Sequence, residues 1–150
     1  MNFKTVDEIL DFAIIREQEA YDFYTGLSSR MSNEHIKSIF RGFATEEKGH
    51  KAKLMDIKAG GTLIPAERSI QTLDITEYTV DIEVSDDLTY QDALIIAMKK
   101  EKAAFRLYSD LASASREHGL AELFTALAQE EARHKLRFEI EYDQFILTDN

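Results

Sequence analysis

Two copies of the pattern Glu-x-x-His supply the residues of this chain that could do chemistry. They run from Glu47 to His50 and from Glu131 to His134, and the copies lie 84 positions apart. Residues three positions apart share one face of a helix, so each glutamate and its histidine can bind one ion together. Carboxylate oxygen with imidazole nitrogen suits iron or manganese. The spacing therefore predicts two metal-binding clamps on two helices.

The residues around the two patterns repeat at the same spacing of 84 without a gap. The matched pairs include Leu10 and Leu94, Ala13 and Ala97, Glu17 and Glu101, Ala20 and Ala104, Tyr24 and Tyr108, Leu27 and Leu111, Phe40 and Phe124, and Ala44 and Ala128. This period is too long for a solenoid repeat. It predicts two copies of one helical hairpin that fold together into a single core, and we expect neither half to be stable alone.

Composition limits the classes of protein and of site. A chain of 150 residues with 44% hydrophobic content can form one substantial core, so we expect one domain over 1–150. The formal charge of −10 disfavours nucleic acid and anionic membranes as partners. Without cysteine the chain can hold no disulfide, iron–sulfur cluster or Cys-ligated metal. Any metal must be bound by carboxylates and imidazoles.

The longest apolar run, from Ala93 to Met98, is far shorter than a membrane span. The first eight residues contain no apolar segment of the kind found in secretory signals. We therefore expect a soluble cytoplasmic protein.

Four segments show apolar residues at spacings of three and four, which predicts four helices. Their expected ranges are 5–31, 33–58, 89–115 and 118–146. Thr5 with Glu8, and Thr89 with Asp92, have the spacing of N-terminal caps, the first as a capping box. Short turns within each pair predict two antiparallel hairpins, over about 5–58 and 89–146.

The segment 59–87 is predicted to be a crossover between the hairpins. It contains Gly60, Gly61, Pro65 and the alternating stretch Val80 to Val84, which could lie along the bundle or pair across a dimer. Each helix is about 40 Å long, and a linker of this length can extend roughly 90 Å. The third helix can therefore start at the same end as the second. The predicted fold is all-α, a ferritin-like four-helix bundle with one long crossover.

Glu17 and Glu101 lie on the apolar faces of the first and third helices, as the two clamps do on the second and fourth. Four inward glutamates would repel one another, and two divalent cations would neutralise them. One Glu from each of two helices, with Glu-x-x-His from each of the others, is typical of a di-metal carboxylate site. The predicted metal ligands are Glu17, Glu47, His50, Glu101, Glu131 and His134. Iron is preferred, and manganese or a mixed pair is the alternative.

Other residues near the clamps have competing interpretations. Glu46 and Glu130 precede the histidines by four positions and could be the ligands instead, although they fall off the apolar stripe. Tyr24 and Tyr108 could hydrogen-bond a ligand carboxylate or simply fill the core. Glu19 is out of phase with the apolar face and is predicted to be solvated. His35 and His118 break the repeat and are given no metal role.

With these motifs in place, the chain resembles the rubrerythrin-like branch of the ferritin-like superfamily over nearly its whole length. The marks are Glu17-x-x-Ala20-x-x-x-Tyr24, Glu47-x-x-His50, Glu101-x-x-Ala104-x-x-x-Tyr108 and Glu131-x-x-His134. The resemblance implies a non-haem di-iron site that reacts with peroxide or dioxygen. It also implies that Glu47 and Glu131 bridge the metals, flanked by Glu17 and Glu101, and it suggests a homodimer.

Two departures from the family pattern bear on this inference. Rubrerythrins carry a second glutamate three residues after the third helix's ligand, where this chain has Ala104, so the residue that permits ligand exchange in their redox cycle is missing here. They also commonly carry a cysteine-bound iron domain, which a chain without cysteine cannot form. Electrons must then come from a separate donor protein or a small reductant.

The leading hypothesis is a di-iron peroxidase that reduces hydrogen peroxide with electrons from an external donor. One alternative is a ferroxidase or iron-handling protein, and another is a dioxygen-dependent hydroxylase. A metal-bound bundle without turnover is a fourth possibility.

Overall fold

A computed structural model describes residues 2–60, 71, 73–80, 88–115 and 118–149, with side chains for all of these except 118 and 145–149. Its helices are α1 (Val6–Arg30), α2 (Glu34–Gly60), α3 (Tyr90–Ala114) and α4 (His118–Asp149). Within the described residues the remaining regular structure is a 3-10 helix, Ile75–Tyr78, and an isolated bridge between Asn2 and Asp74. The prediction of an all-α fold with four long helices is confirmed.

Repeated caps start α1 and α3. The Thr5 hydroxyl oxygen accepts the Glu8 backbone N–H at 3.1 Å, and Thr89 accepts that of Asp92 at the same distance. Such a cap stabilises a helix by about 1 kcal/mol. The predicted capping box is only partly formed, because the Glu8 carboxylate accepts the N–H of Lys4 at 2.7 Å.

The helices pack as two antiparallel hairpins. Ser28 on α1 donates to the carbonyl of Lys37 on α2 at 3.2 Å, and Gln91 on α3 donates to the Tyr142 hydroxyl on α4 at 3.1 Å.

The second and third helices start at the same end of the bundle. The rings of Phe40, near the start of α2, and Tyr90, at the start of α3, have centroids 6.3 Å apart. The chain must therefore travel the full bundle length between Gly60 and Tyr90, which is the predicted ferritin-like connection.

Part of this crossover packs on the bundle. The buried Tyr78 stacks on Phe3 with ring centroids 6.5 Å apart, and its hydroxyl donates to Asp110 at 2.6 Å. The 3-10 helix is thereby tied both to the residues before α1 and to α3. Of the stretch Val80 to Val84, predicted to be extended, only Val80 is among the described residues, and the rest lies outside them.

Two apolar clusters form the core. One contains Ile9, Leu54 and Phe124, and the other contains Tyr24 and Phe138. The buried charged side chains lie on the helices between these two groups along the sequence. Within the described residues, none of the helices combines the length and the apolar character needed to cross a bilayer.

Candidate metal centre

Each helix contributes to one buried group of carboxylates and imidazoles. All six predicted ligands are in it, and each is between 1% and 4% exposed. They are Glu17 on α1, Glu47 and His50 on α2, Glu101 on α3, and Glu131 and His134 on α4. Side chains of this kind are seldom buried without a partner of opposite charge. The helical periodicity that places apolar residues inward also places these six there.

The six residues form two overlapping sets of four. Glu17, Glu47, His50 and Glu131 offer one set of ligand atoms within 4.8 Å of one another, and Glu47, Glu101, Glu131 and His134 offer the other. Both sets contain Glu47 and Glu131. The arrangement can therefore hold two ions with two glutamates between them.

The distances show that each set is assembled from both hairpins. Nδ1 of His50 is 2.9 Å from Oε1 of Glu131 but 3.7 Å from Oε1 of Glu47 on its own helix. Nδ1 of His134 is 3.1 Å from Glu47 but 3.7 Å from Glu131. Each histidine thus lies closer to the shared glutamate of the opposite hairpin. Neither hairpin holds a complete set of ligands.

One atom of every predicted ligand is buried without a hydrogen bond. These atoms are Glu17 Oε2, Glu47 Oε1, His50 Nδ1, Glu101 Oε2, Glu131 Oε1 and His134 Nδ1. Burying an unpartnered polar atom costs about 1–3 kcal/mol, and here six such atoms belong to the two sets. Two divalent cations would satisfy the atoms and neutralise the four carboxylates. The residues present therefore fit a pair of metal ions.

The outer nitrogens of the two histidines have partners of their own. Nε2 of His50 contacts the Glu130 carboxylate, and Nε2 of His134 contacts that of Glu46. An Nε2–H that donates to a carboxylate leaves Nδ1 free to bind metal and fixes the plane of the ring.

The alternative in which Glu46 and Glu130 are the ligands is not favoured by this geometry. Their side chains are 57% and 31% exposed, and neither belongs to a ligand set. Both glutamates precede a histidine by four residues at equivalent positions of the repeat. This equivalence is the sequence signal for their contact with the outer nitrogens of the histidines.

The two tyrosines contact ligand carboxylates across the bundle. The Tyr24 hydroxyl on α1 donates to Oε1 of Glu101 on α3, and the Tyr108 hydroxyl on α3 donates to Oε1 of Glu17 on α1. Burial, followed by the charge of nearby carboxylates, raises the pKa of both phenols well above the usual value. Both tyrosines therefore stay protonated and act as hydrogen-bond donors.

Without metal, the centre retains protons. Burial, and then the charges of neighbouring carboxylates, raises the pKa of Glu47 and of Glu131 well above the usual value. For His134, burial lowers the pKa, but the nearby carboxylates of Glu101 and Glu47 outweigh this effect and raise the pKa to about 10. Burial also lowers the pKa of His50, but the carboxylates of Glu17 and Glu130 outweigh this effect and raise the pKa. Metal binding must therefore displace protons.

A narrow cavity of about 40 Å³ leads to the carboxylates. Its lining includes the four ligand glutamates but neither ligand histidine, and Ala20 and Ala104 lie along it. The crossover contributes Tyr78 and Val80 to its wall, a contact that no sequence pattern indicates. A water molecule needs roughly 10–15 Å³ of such space. The cavity therefore has room for about three water-sized groups beside the carboxylates.

The remaining candidates lie away from the ligand sets. Glu19 belongs to neither set, and its half-exposed side chain lines the cavity. The backbone N–H of His35 donates to the Asn33 side chain in the turn before α2, and His35 is in neither set. The side chain of His118 lies outside the described residues.

Comparisons with known proteins agree on the family and on the fold. The family model described as Rubrerythrin matches residues 8–144. A solved structure of a ferritin-like diiron-carboxylate protein from Thermotoga maritima superimposes with a TM-score of 0.80 at 22% identity, covering 95% of this chain and 97% of that one. A hypothetical protein from Pyrococcus furiosus gives 0.73 at 24% identity, covering 95% and 90%. No curated protein matches the sequence.

Proposed function

Because this chain belongs to the rubrerythrin family, we propose that it is a two-iron oxidoreductase that reduces hydrogen peroxide with electrons from a separate donor. The observation that supports this most is the doubled ligand set, in which Glu47 and Glu131 belong to both groups of four. Two ions held side by side can act on both oxygen atoms of one small molecule.

Iron is the metal that we propose for both positions. Each set offers three carboxylates and one imidazole, a hard, oxygen-rich set of ligands that suits iron and manganese. When bound, two ferrous ions would supply the two electrons that convert hydrogen peroxide and two protons into two water molecules. A manganese or mixed pair would occupy the same ligands, and elemental analysis distinguishes these cases.

The protein's own residues orient the metal ligands and enclose the centre. Tyr24 and Tyr108 fix one oxygen of Glu101 and of Glu17, and leave the other oxygen facing inward. Glu130 and Glu46 orient the imidazoles. The apolar clusters on both sides limit the access of water to the centre.

The cavity favours a small oxidant over an organic substrate. Sites for organic ligands occupy about 300–1,000 Å³, whereas the cavity that reaches the glutamates holds about 40 Å³. Peroxide and dioxygen fit this space. The size of the cavity therefore argues against the hydroxylase alternative.

Two parts of the proposal follow from positions at which this chain departs from the family pattern. Ala104 provides no carboxylate where rubrerythrins have their second glutamate, so we propose that the irons keep one ligand set in both redox states. Electrons come from a separate protein or small reductant, because the chain has no cysteine to bind a second iron centre. We further propose that the protein is a homodimer in solution.

Anaerobic stopped-flow mixing tests the proposal. The protein, loaded with two ferrous ions per chain, is mixed with hydrogen peroxide or with dioxygen, and the ferric absorption is followed. Oxidation by peroxide should be much faster than that of free ferrous iron and faster than oxidation by dioxygen. Oxidation by peroxide no faster than in free solution would refute it. Preference for dioxygen, in a many-subunit assembly that accumulates iron, would instead identify a ferroxidase.

A further inference from the structure

The cavity that reaches the metal ligands is lined by two cations, Arg16 and Lys100. They occupy equivalent positions of the two repeats, 84 residues apart, and each directly precedes an inward glutamate, Glu17 or Glu101. The duplication has thus placed a positive charge on each of the two helices, α1 and α3, that border the cavity.

Both cations are held in place by an aromatic ring. The guanidinium carbon of Arg16 lies 4.7 Å from the centroid of the Phe12 ring, and the Lys100 ammonium lies 5.2 Å from that of Phe23. Such contacts stabilise a cation without neutralising its charge. The two charges are therefore positioned in advance and remain available to a ligand.

Much of their hydrogen-bonding capacity is unused. Arg16 donates through Nη2 to Glu19 at 2.8 Å, whereas its Nε is buried without a hydrogen bond. In the described part of the chain, Lys100 forms no ion pair with a carboxylate. Together with Glu19, the two cations leave one net positive charge beside the cavity, in a chain whose overall charge is −10.

That charge is the net charge of the cavity lining once two divalent ions are bound. Two divalent ions would cancel the charges of Glu17, Glu47, Glu101 and Glu131, so Arg16, Lys100 and Glu19 would be the charged residues of the cavity lining that are left. A narrow opening with low-dielectric walls concentrates such a field and attracts ions of opposite sign.

We propose that Arg16 and Lys100 make this cavity a binding site for a small inorganic monoanion. The volume of about 40 Å³ suits a ligand of a few atoms, and the positive charge favours an anion. This inference rests on the two-metal centre of the proposed function. A neutral peroxide molecule can still enter, because the cations add affinity for an anion without closing the path.

Azide binding to the zinc-loaded protein tests the site, because zinc is redox-inert and azide is a three-atom monoanion. Zinc per chain is measured first, and azide affinity is then determined by calorimetry. Arg16→Gln and Lys100→Gln should each weaken azide binding by about threefold, and the double variant by about tenfold, as expected for partly exposed charges. The exposed Lys102→Gln, which makes the same change in net charge on α3 outside the cavity, should stay within about twofold of wild type.

Charge-retaining variants and salt provide a second measurement. Arg16→Lys and Lys100→Arg should keep most of the affinity. Sodium gluconate, whose anion is too large for the cavity, should weaken azide binding to the wild-type protein as ionic strength rises from about 0.01 to 0.2 M, because screening shortens the reach of the cations. The salt measurement uses the wild-type protein, so it tests the site even if a glutamine variant fails to load zinc.

Two negative results are distinguishable. Normal zinc content, with azide affinity unchanged in the double variant and insensitive to gluconate, would overturn the anion site and leave the metal centre intact. Less than one metal per chain, with zinc and iron alike, would overturn the two-metal centre and the anion site with it.

Discussion

The hydroxyl of Tyr24 on the first hairpin donates a hydrogen bond to Glu101 on the second. The repeat-equivalent bond, from Tyr108 to Glu17, runs in the opposite direction. Each hairpin therefore fixes the orientation of a carboxylate that belongs to the other. Helix packing and ligand geometry are coupled through these two bonds, since a shift of α1 against α3 would disturb both.

Replacing Tyr24 with phenylalanine should weaken both metal binding and the metal-free fold. The change leaves one oxygen of the buried Glu101 without its donor, which costs about 1–3 kcal/mol of unfolding free energy, and loss of such an outer partner lowers metal affinity about 10–100-fold. Urea denaturation and competition with a chelator measure the two effects. Tyr21→Phe is the control, since Tyr21 is on the same helix but only half-buried. Equal effects of the two substitutions would contradict the role of the hydrogen bond.

The number of bound metals should depend on which glutamate is removed. Glu17→Ala and Glu101→Ala each damage a single set of four, so about one metal per chain should remain. Glu131→Ala damages both sets and should abolish tight binding of either ion. Glu19→Ala, outside both sets, should retain two. Elemental analysis after dialysis against a weak chelator gives these ratios, and the same loss in all three ligand variants would argue against two overlapping sets.

Glu130→Ala, which removes the carboxylate, should weaken metal binding without changing the number of ions bound at saturation. His50 then loses the partner that orients its ring, for which we expect a fall in affinity of about 10–100-fold. The equivalent change at Glu46 should act through His134. Glu34→Ala, at an exposed ion pair on α2, is the matched control. Competition titrations with a coloured chelator would measure these affinities, and wild-type values in both outer variants would refute the orienting role.

The metal-free protein should be more stable in mild acid than in mild base. Glu47, Glu131, His50 and His134 all have pKa values raised above the usual ones, so the folded state binds more protons than the unfolded chain. Protonated His134 contributes its full stabilisation below about pH 6.5, and this contribution is lost as the pH rises through about 10. The contribution of the two protonated glutamates begins to fall above about pH 4.5.

Urea midpoints of the metal-free protein at about pH 5.5 and pH 8 test this sign. The metal-loaded protein should respond in the opposite direction, because ligands must lose protons to bind. A double variant, Glu47→Gln with Glu131→Gln, should show a smaller pH slope. A metal-free protein that gains stability between these two pH values would contradict the assignment.

Filling the cavity should slow oxidation without removing metal. Ala104→Leu places a larger side chain in the wall beside the glutamates, and we expect the rate of oxidation by peroxide to fall at least about tenfold while two irons remain bound. The half-buried Ala112→Leu, at the far end of α3, is the control. An unchanged rate in the Ala104 variant with full iron content would mean that peroxide reaches the metals by another path.

The four helices and the inward location of the six candidate ligands follow directly from the sequence. Apolar periodicity identifies one face of each helix, and Glu17 and Glu101 lie on that face although they are charged. The 84-residue repeat adds the hairpin pairing, and the length of the crossover gives the common start of α2 and α3. Metal binding by these six residues stays a prediction.

Contacts between helices were harder to predict, because they depend on how far each helix slides along its neighbour. Tyr24 could be placed on an inward face, but its partner Glu101 depends on the register of α1 against α3. Glu130 lies off the apolar stripe, so its contact with His50 on another helix could not be anticipated. The position of Tyr78 beside the centre is set by tertiary packing of the crossover, which no local pattern reports.

The shared use of Glu47 and Glu131 has a consequence for how such a centre could arise. One hairpin with an inward Glu and a Glu-x-x-His motif, paired with an identical copy about a twofold axis, would already contain both sets of four ligands. A gene encoding only half of this chain could thus have produced a working centre as a symmetric dimer. In a single chain the two copies are covalently linked and free to differ, as the halves of this chain do at Glu19 and its counterpart Ala103.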